Sequence, residues 1–189
     1  MGIVEEVRCL LQEAAARSRA RLPPGIGEDE IRQFEARTGL VVPSQLREWL
    51  AITNGPPIGE WFYGIRPKKQ FLDIERMLKV YPVWKTEGWI PVSGDGCGDF
   101  YVLTTLPKDG PGNPVLFIDN HEDEDRPKYV VASDLWHFLR FLLDDFLHKK
   151  PDADAACWPL CKEYVLERDP LLTDYRTWPR AWDLGPGSV

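Results

Sequence analysis

The side chains best suited to chemistry are densest in residues 119–125, which read Asp-Asn-His-Glu-Asp-Glu-Asp. Carboxylates and an imidazole that follow a strand can bind a divalent cation, so Asp119, His121 and Asp123 are candidate ligands in a metal-dependent hydrolase. Their spacing matches no defined metal-binding loop. We therefore favour a solvated loop that joins two strands. A contact patch for basic residues of a partner protein is a third interpretation.

A second candidate is the glycine-rich stretch Gly94–Asp99, which contains Cys97. Glycines let a backbone wrap an anion, but this stretch lacks the Lys-Ser/Thr ending of a phosphate loop and leads into a strand. Cys97 would act as a nucleophile only with a base beside it, and His121 and His137 are the candidates. The sequence favours a tight turn at the entry to a hairpin over either kind of site.

Two further cysteines, Cys157 and Cys161, are spaced so that both can face one side of a helix. A structural zinc site needs four ligands, and His148 is the only nearby candidate for a third. We interpret both cysteines as buried or half-buried thiols. The sequence therefore predicts neither a bound metal nor a cofactor.

Composition and charge restrict the class of partner. The chain has 189 residues, with 23 Lys and Arg against 30 Asp and Glu and a net charge of -7. Such a surface repels nucleic-acid phosphates and suits a basic protein. No stretch reaches the roughly 20 apolar residues that a membrane helix needs. The four cysteines do not form the disulfide framework typical of secreted proteins. Charged residues interrupt residues 1–20, where a signal peptide would need an apolar run, so we expect a cytoplasmic protein.

Periodic apolar residues predict several helices before any sheet. The predicted helices cover residues 3–20, Glu28 to Gly39, a segment from about Ser44 to a cap at Asn54 and Gly55, and Leu72 to Val80. Short apolar runs bounded by turn residues predict strands at 61–65, 89–92, 100–103, 115–118 and 129–131. Ser133 is expected to cap a last helix, whose apolar stripe from Leu135 to Phe146 covers one face of the sheet.

This order of elements indicates an α+β fold. We expect a central, mostly antiparallel sheet of about five or six strands, packed against the N-terminal helices and a C-terminal helix. Residues 1–150 are predicted to form a single domain, with an N-terminal helix in residues 1–21. Residues 151–189 are predicted to form a C-terminal extension packed on that domain, with one or two helical turns followed by a strap with aromatic anchors.

Tryptophan side chains are prominent, and the sequence leaves some of their positions open. Trp49, Trp89 and Trp136 lie on apolar faces or at strand starts, which is typical of core residues. Trp61 and Trp84 are either core residues or exposed anchors of an interface, where tryptophan is enriched.

The order of motifs resembles the SUKH superfamily, which includes a fungal cell-wall synthesis regulator and bacterial proteins that give immunity against polymorphic toxins. The matching pieces are Leu22 to Pro24, Glu28 to Gly39, Leu40 to Leu50, Asn54 and Gly55, Trp61 to Gly64, Trp89 to Val92, Ser93 to Leu103, Val115 to Asn120 and Ser133 to Leu142. The likeness covers most of the chain from about residue 22. The tail, with Asp169 and Pro170 and the closing Pro179 to Trp182, is similar to extensions of some members.

The resemblance implies a protein-binding function without catalysis. It implies an immunity protein that binds and neutralises a cognate bacterial toxin, which commonly attacks nucleic acids and carries a basic surface. A regulatory scaffold that recruits cellular proteins, as in cell-wall synthesis regulation, is the alternative. The residues expected to contact the partner are Glu122, Asp123, Glu124 and Asp125, followed by Glu60 and Trp61.

Overall fold

Helices flank a four-stranded sheet in the part of the chain that the computed structural model describes, which is residues 2–56, 58, 62–67, 72–123, 125–147 and 161–184. In chain order, the described elements are α1 (Ile3–Ser18), α2 (Glu28–Thr38), α3 (Ser44–Ile52), α4 (Ile74–Val80), α5 (Pro82–Glu87), β1 (Trp89–Gly94), β2 (Phe100–Thr104), β3 (Val115–Ile118), β4 (Tyr129–Ala132), α6 (Leu135–Phe146) and α7 (Lys162–Arg168). The fold is α+β, as the sequence predicts.

The sheet is a meander in the order β1-β2-β3-β4, and every neighbouring pair is antiparallel. Ile90 lies opposite Leu103, and Val102 lies opposite Leu116. Every residue of the four strands is buried. Strands buried on both faces carry nearly continuous apolar runs, which is why these runs could be found in the sequence.

The prediction of five or six strands is wrong for the described residues, which contain four. The predicted strand at 61–65 is represented by a single antiparallel bridge from Phe62 to Ser93 at the edge of β1, and Trp61 lies outside the described residues. At the other edge, Val130 of β4 donates to the carbonyl oxygen of Pro179 at 2.8 Å, and Arg180 forms one parallel bridge with Val130. Short segments thus cover backbone groups at both edges without forming further strands.

Helices cover both faces of the sheet. Phe138 of α6 packs on Tyr101, with ring centroids 5.0 Å apart. On the opposite face Trp84 of α5 meets Phe100, with ring centroids 5.1 Å apart. Trp84 is fully buried, so it is a core residue and not an exposed anchor. Trp49, Trp89 and Trp136 are also buried, as expected.

Two local details differ from the sequence prediction. The cap of α6 is Asp134, whose side chain accepts a hydrogen bond from the backbone N–H of His137 at 2.9 Å, whereas Ser133 was expected there. Helix α5 was not predicted at all. Pro82 reads as a break after α4, but proline is well suited to the first turn of a new helix.

The described residues 161–184 are here called the C-terminal segment. The segment consists of α7 and two short 3-10 turns, Pro170–Asp174 and Ala181–Asp183. Its buried apolar side chains belong to the same core as the sheet and are Tyr164, Val165, Leu172, Tyr175 and Ala181. Among the described helices, none combines the length and the apolar character that crossing a membrane requires.

Candidate functional site

Two acidic turns meet at one end of the sheet. In an antiparallel meander the β1–β2 turn and the β3–β4 turn leave the sheet on the same side. A direct bond joins the two turns, because the side-chain Oδ1 of Asp99 accepts the backbone N–H of Asn120 at 3.0 Å. We call this surface, formed by the described residues 95–99, 119–123 and 125–128, the acidic end.

The β1–β2 turn is organised by one carboxylate. Asp95 Oδ1 accepts the backbone N–H groups of Cys97, Gly98 and Asp99 at 2.7, 3.1 and 3.0 Å. Gly96 and Gly98 have φ of 84° and 116°, values that side chains disfavour. The N–H groups that could have bound a phosphate therefore already bind Asp95, and the stretch is a hairpin turn, as the sequence favours.

Neither histidine activates Cys97 among the described residues. His121 lies near the turn, with its Nε2 3.6 Å from the Cβ position of Gly98, but it forms no hydrogen bond with the Cys97 thiol. His137 belongs to α6, where its Nδ1 lies 2.9 Å from Asp134 Oδ2. A cysteine nucleophile needs a base or a positive neighbour, so the geometry offers no support for thiol catalysis.

The β3–β4 turn contains an internal ion-pair cluster. Lys128 Nζ lies 2.8 Å from Asp119 Oδ2 and 3.0 Å from Glu122 Oε1. The other Asp119 oxygen accepts the backbone N–H groups of His121 and Glu122 at 3.1 and 3.2 Å. The hydrogen bond from Lys128 is the main cause that lowers the pKa of Asp119 below its ordinary value. Asp119 is therefore a structural anchor of the turn.

Some of the predicted contact residues are exposed in the structure, and the others lie outside the described residues. Glu122 exposes 63% of its side chain, and Asp123 and Asp125 are also exposed. Asp123 Oδ1 accepts the backbone N–H of Asp125 at 3.0 Å, which fixes the Asp123 carboxylate against the backbone of the turn. The remaining predicted contacts, Glu124, Glu60 and Trp61, lie outside the described residues.

The alternative ligand set for a metal does not converge. Both oxygens of Asp119 already accept hydrogen bonds, one of them from an ammonium group. Within the described ranges, no group of three His, Cys, Asp or Glu side chains is arranged to hold a metal ion. Cys161 is a half-buried thiol, while Cys157 and His148 fall outside those ranges. The geometry thus supplies no argument for a hydrolase that uses Asp119, His121 and Asp123.

Negative charge predominates at the acidic end. Its described residues include six carboxylates and two cations, Arg126 and Lys128. The carboxylates are Asp95, Asp99, Asp119, Glu122, Asp123 and Asp125. Burial, followed by the charges of Asp95 and Asp119, raises the pKa of the Asp99 carboxyl above its ordinary value. Since Asp119 belongs to the β3–β4 turn, carboxylates of both turns contribute to the negative charge around Asp99.

A groove of about 430 Å³ lies beside the β3–β4 turn. Asp119, Glu122, Asp123, Arg126, Pro127 and Lys128 line one side, and Thr177, Trp178, Pro179 and Leu184 of the C-terminal segment line the other. A larger hollow of about 540 Å³ between α1 and α3 is remote from this charge cluster along the chain and lacks its carboxylates. The groove therefore combines an acidic wall with an apolar wall that contains an indole ring.

The sequence predicts only part of this surface. The acidic run 119–125 is contiguous and was recognised, but the pairing of Lys128 with it depends on the turn geometry. Asp95 and Asp99 join the surface through the meander, and Trp178 joins it through the path of the C-terminal segment. The aromatic anchors of the tail were the only sequence signal for that second wall.

Comparison with known proteins places the chain in a family. The SMI1 / KNR4 family (SUKH-1) model matches residues 25–140, more than half of the chain. The matched range includes α2 to β4, both acidic turns and the first half of α6, whereas α1 and the C-terminal segment lie outside it. Comparison with curated proteins gave no match. The chain belongs to the SMI1 / KNR4 (SUKH-1) family.

Proposed function

We propose that this chain is a non-enzymatic binding protein whose acidic end docks on a basic surface of a partner protein. The single observation that carries the proposal is the acidic end itself, where six described carboxylates face only two cations. The SUKH family is associated with protein–protein interactions, which supports the general function. Complementary charge accelerates encounter and disfavours wrong partners.

We further propose that the partner is a cognate toxin and that binding covers its active or substrate-binding surface. Toxins that act on nucleic acids need a basic surface to hold phosphates, and the acidic end is complementary to such a surface. Glu122, Asp123 and Asp125 are the proposed contacts because their carboxylates are exposed. Glu124, Glu60 and Trp61 remain proposed contacts from the sequence.

The groove adds a site for a single basic side chain. Its acidic wall can pair with an arginine or lysine, and its indole can contact the same cation from the other side. Lys128 already occupies Asp119 and one oxygen of Glu122, at 2.8 and 3.0 Å, so Asp123 is the carboxylate of this wall that we propose for the incoming cation. A regulatory scaffold would use the same surface for several cellular partners.

The first experiment is an affinity pull-down of the tagged chain from its host lysate at low and moderate salt, followed by mass spectrometry. One stoichiometric partner with a toxin domain would support immunity, and several housekeeping proteins would favour the scaffold. Association kinetics of the captured partner are then measured with the triple variant Glu122→Gln, Asp123→Asn and Asp125→Asn. We expect a decrease in association rate of about tenfold or more at low salt, and a weaker salt dependence.

A matched control removes the same amount of charge elsewhere. Glu5, Glu13 and Glu48 are exposed and lie on α1 and α3. Their triple replacement by Gln changes the net charge equally and leaves both acidic turns intact. If both triple variants slow association to the same extent, net charge alone is responsible and the acidic end is not the docking surface. Unchanged kinetics in the acidic-end variant would also contradict the proposal.

A further inference from the structure

A second groove, of about 350 Å³, lies within the C-terminal segment, and its charge is opposite to that of the acidic end. We call it the basic groove. Three cations and one carboxylate line it, together with an indole ring and a leucine. These residues are Lys162, Leu166, Arg176, Arg180, Trp182 and Asp183. In a chain with a net charge of -7, an excess of cations in one groove is a local feature and not a result of composition.

Two guanidinium groups of the basic groove converge on one backbone oxygen. Arg176 Nη1 donates to the carbonyl oxygen of Tyr175 at 3.2 Å, and Arg180 Nη1 donates to the same oxygen at 3.5 Å. The two arginines are therefore close neighbours in space. A carbonyl oxygen carries no net charge, so it orients both cations without neutralising either of them.

The carboxylate of the basic groove is already used by one of these arginines. Asp183 Oδ2 accepts hydrogen bonds from Arg180 Nε at 2.6 Å and from the Arg180 backbone N–H at 3.0 Å. Within the described ranges, Lys162 and Arg176 have no carboxylate at ion-pair distance. Both side chains are exposed, so an incoming ligand can reach them.

Other nearby carboxylates face away from the basic groove. Lys162 and Leu166 are four residues apart on α7 and share the face that lines it. Glu167 pairs with Arg168 at 2.8 Å, and Asp174 lines a separate hollow beside Ser133. The basic groove therefore keeps an excess of positive charge.

Buried contacts hold the backbone of the basic groove in place. Asp169 is fully buried, and its carboxylate accepts the Ser133 backbone N–H at 2.7 Å and the Ser133 hydroxyl at 2.6 Å. The buried Tyr175 donates from its hydroxyl to the carbonyl oxygen of Ser133 at 3.0 Å. The oxygen that orients both arginines belongs to Tyr175, so their positions are fixed before a ligand arrives. A site that is organised in advance loses less free energy to ordering when it binds.

The neighbouring acidic end limits which anions fit. Trp178 and Leu184 line the groove beside the β3–β4 turn, whereas Arg180 and Trp182, between them in sequence, line the basic groove. A long polyanion such as a nucleic acid would extend from the basic groove toward the carboxylates of the acidic end and be repelled. A ligand with only one or two negative groups avoids this repulsion.

We propose that the basic groove binds carboxylate side chains of a short acidic segment in a partner protein. Arg176 and Lys162 supply the charges, and a guanidinium can hold a carboxylate through two parallel hydrogen bonds. The partly exposed Trp182 and Leu166 offer an apolar surface for the aliphatic part of a glutamate side chain. Tryptophan and arginine together are typical of residues that contribute strongly to protein interfaces.

The basic groove goes beyond the proposed function, because its charge and its ligand are opposite to those of the acidic end. A partner that presents a cation and a carboxylate side by side would contact both surfaces. The test below uses a free peptide and needs no natural partner. A failure of the basic groove and a failure of the proposed function are therefore distinguishable.

Nuclear magnetic resonance of the full-length, ¹⁵N-labelled chain tests the proposal. The chain is titrated at constant ionic strength with the blocked tetrapeptide acetyl-Glu-Leu-Glu-Glu-amide, and the indole N–H signals are assigned with Trp182→Phe and Trp178→Phe. We expect the Trp182 signal to shift and to saturate, while the Trp178 signal stays in place. The neutral peptide acetyl-Gln-Leu-Gln-Gln-amide should shift neither signal.

The decisive variant combines Lys162→Gln with Arg176→Gln. Both residues are exposed, so the core stays intact, and the dissociation constant of the acidic peptide should rise about tenfold for two partly exposed ion pairs. The matched control combines Arg76→Gln with Lys79→Gln, two exposed residues of α4. Helix α4 packs on β1, at the opposite edge of the sheet from the C-terminal segment, so this control should bind like the wild type.

Four results would overturn the proposal. The first is a Trp182 signal that does not move with the acidic peptide, and the second is equal weakening of binding by both double variants. The third is an equal Trp182 shift with inorganic phosphate, which would identify a phosphate-bearing ligand instead. The fourth is a Trp182 signal that depends on protein concentration without peptide, which would identify a second copy of the chain as the occupant.

Discussion

At the scale of single residues, Asn54 shows how one side chain can replace a strand pairing. Its Nδ2 donates to the carbonyl oxygen of Ile65 at 2.8 Å, and its Oδ1 accepts the N–H of Ile65 at 2.9 Å. Gly64 passes so close that a Cβ there would lie 2.5 Å from Asn54 Oδ1. The run predicted as a strand is therefore fixed to the end of α3 by one amide, and a single bridge to β1 suffices.

Replacing Asn54 by alanine should destabilise the fold. The substitution leaves the N–H and C=O of Ile65 without their partner in a buried site, and each such loss costs about 1–3 kcal/mol. We expect the free energy of unfolding to fall by about 2–4 kcal/mol, measured by urea denaturation. Gln33→Ala, at an exposed position on α2, is the control and should change it by less than about 0.5 kcal/mol. Equal midpoints for the two variants would contradict this account of Asn54.

The candidate site was predictable only where its residues adjoin in sequence. Five carboxylates within residues 119–125 are visible as a run, and so the β3–β4 turn was recognised. The pairing of Lys128 with Asp119 depends on the conformation of the turn, and the contribution of Asp99 depends on strand order. Contacts between distant parts of the chain leave no periodic signal in the sequence.

At the scale of elements, the residues that typically begin or end helices predicted the position of most helices correctly. Gly39 ends α2 in the left-handed region with φ of 76°, as its position after the apolar pattern indicates. The missed helix, α5, begins at a proline and is only six residues long, too short for a clear period. The excess of predicted strands has a similar cause. An apolar run predicts burial, but it does not determine how many backbone hydrogen bonds the run makes with a neighbouring strand.

The residues that precede α2 provide a test of how closely this part of the chain packs against the end of α3. Ile26 donates to the carbonyl oxygen of Leu50 at 2.9 Å, which brings the chain before α2 against the end of α3. A Cβ on Gly25 would lie 1.9 Å from the carbonyl oxygen of Ala51, a contact with backbone that cannot yield easily. We expect Gly25→Ala to reduce stability by about 1–3 kcal/mol, because the two elements must separate.

Gly27 is the matched control for that substitution. It lies two residues further on, and a Cβ there would meet nothing closer than 3.9 Å. Gly27→Ala should reduce stability by less than about 1 kcal/mol, the difference between glycine and alanine as the residue before a helix. Thermal unfolding of both variants measures the difference. If Gly25→Ala is as stable as Gly27→Ala, the close packing of these elements is not a requirement of the fold.

At the scale of the whole molecule, α6 connects the family region with the two parts outside the match. Arg140 of α6 pairs with Glu6 of α1 at 2.7 Å, and the Tyr164 hydroxyl of α7 donates to Asp144 at 2.9 Å. The buried residues of α1, the sheet and the C-terminal segment form one apolar cluster. We therefore propose that the additions outside residues 25–140 are structural parts of one cooperative unit.

One cooperative unit should unfold in one transition, whichever part is weakened. Leu11 of α1 and Leu172 of the C-terminal segment are both fully buried, so Leu11→Ala and Leu172→Ala should each cost about 2–5 kcal/mol. Far-ultraviolet circular dichroism and tryptophan fluorescence should then report the same lowered midpoint for each variant. The control is Leu171→Ala. Leu171 is next to Leu172 in the chain but is 57% exposed, so this substitution should barely change the free energy of unfolding. A core shared with the sheet cannot lose one wall without losing the rest. A separate early transition in Leu172→Ala would show that the segment unfolds alone, and it would contradict the single cooperative unit.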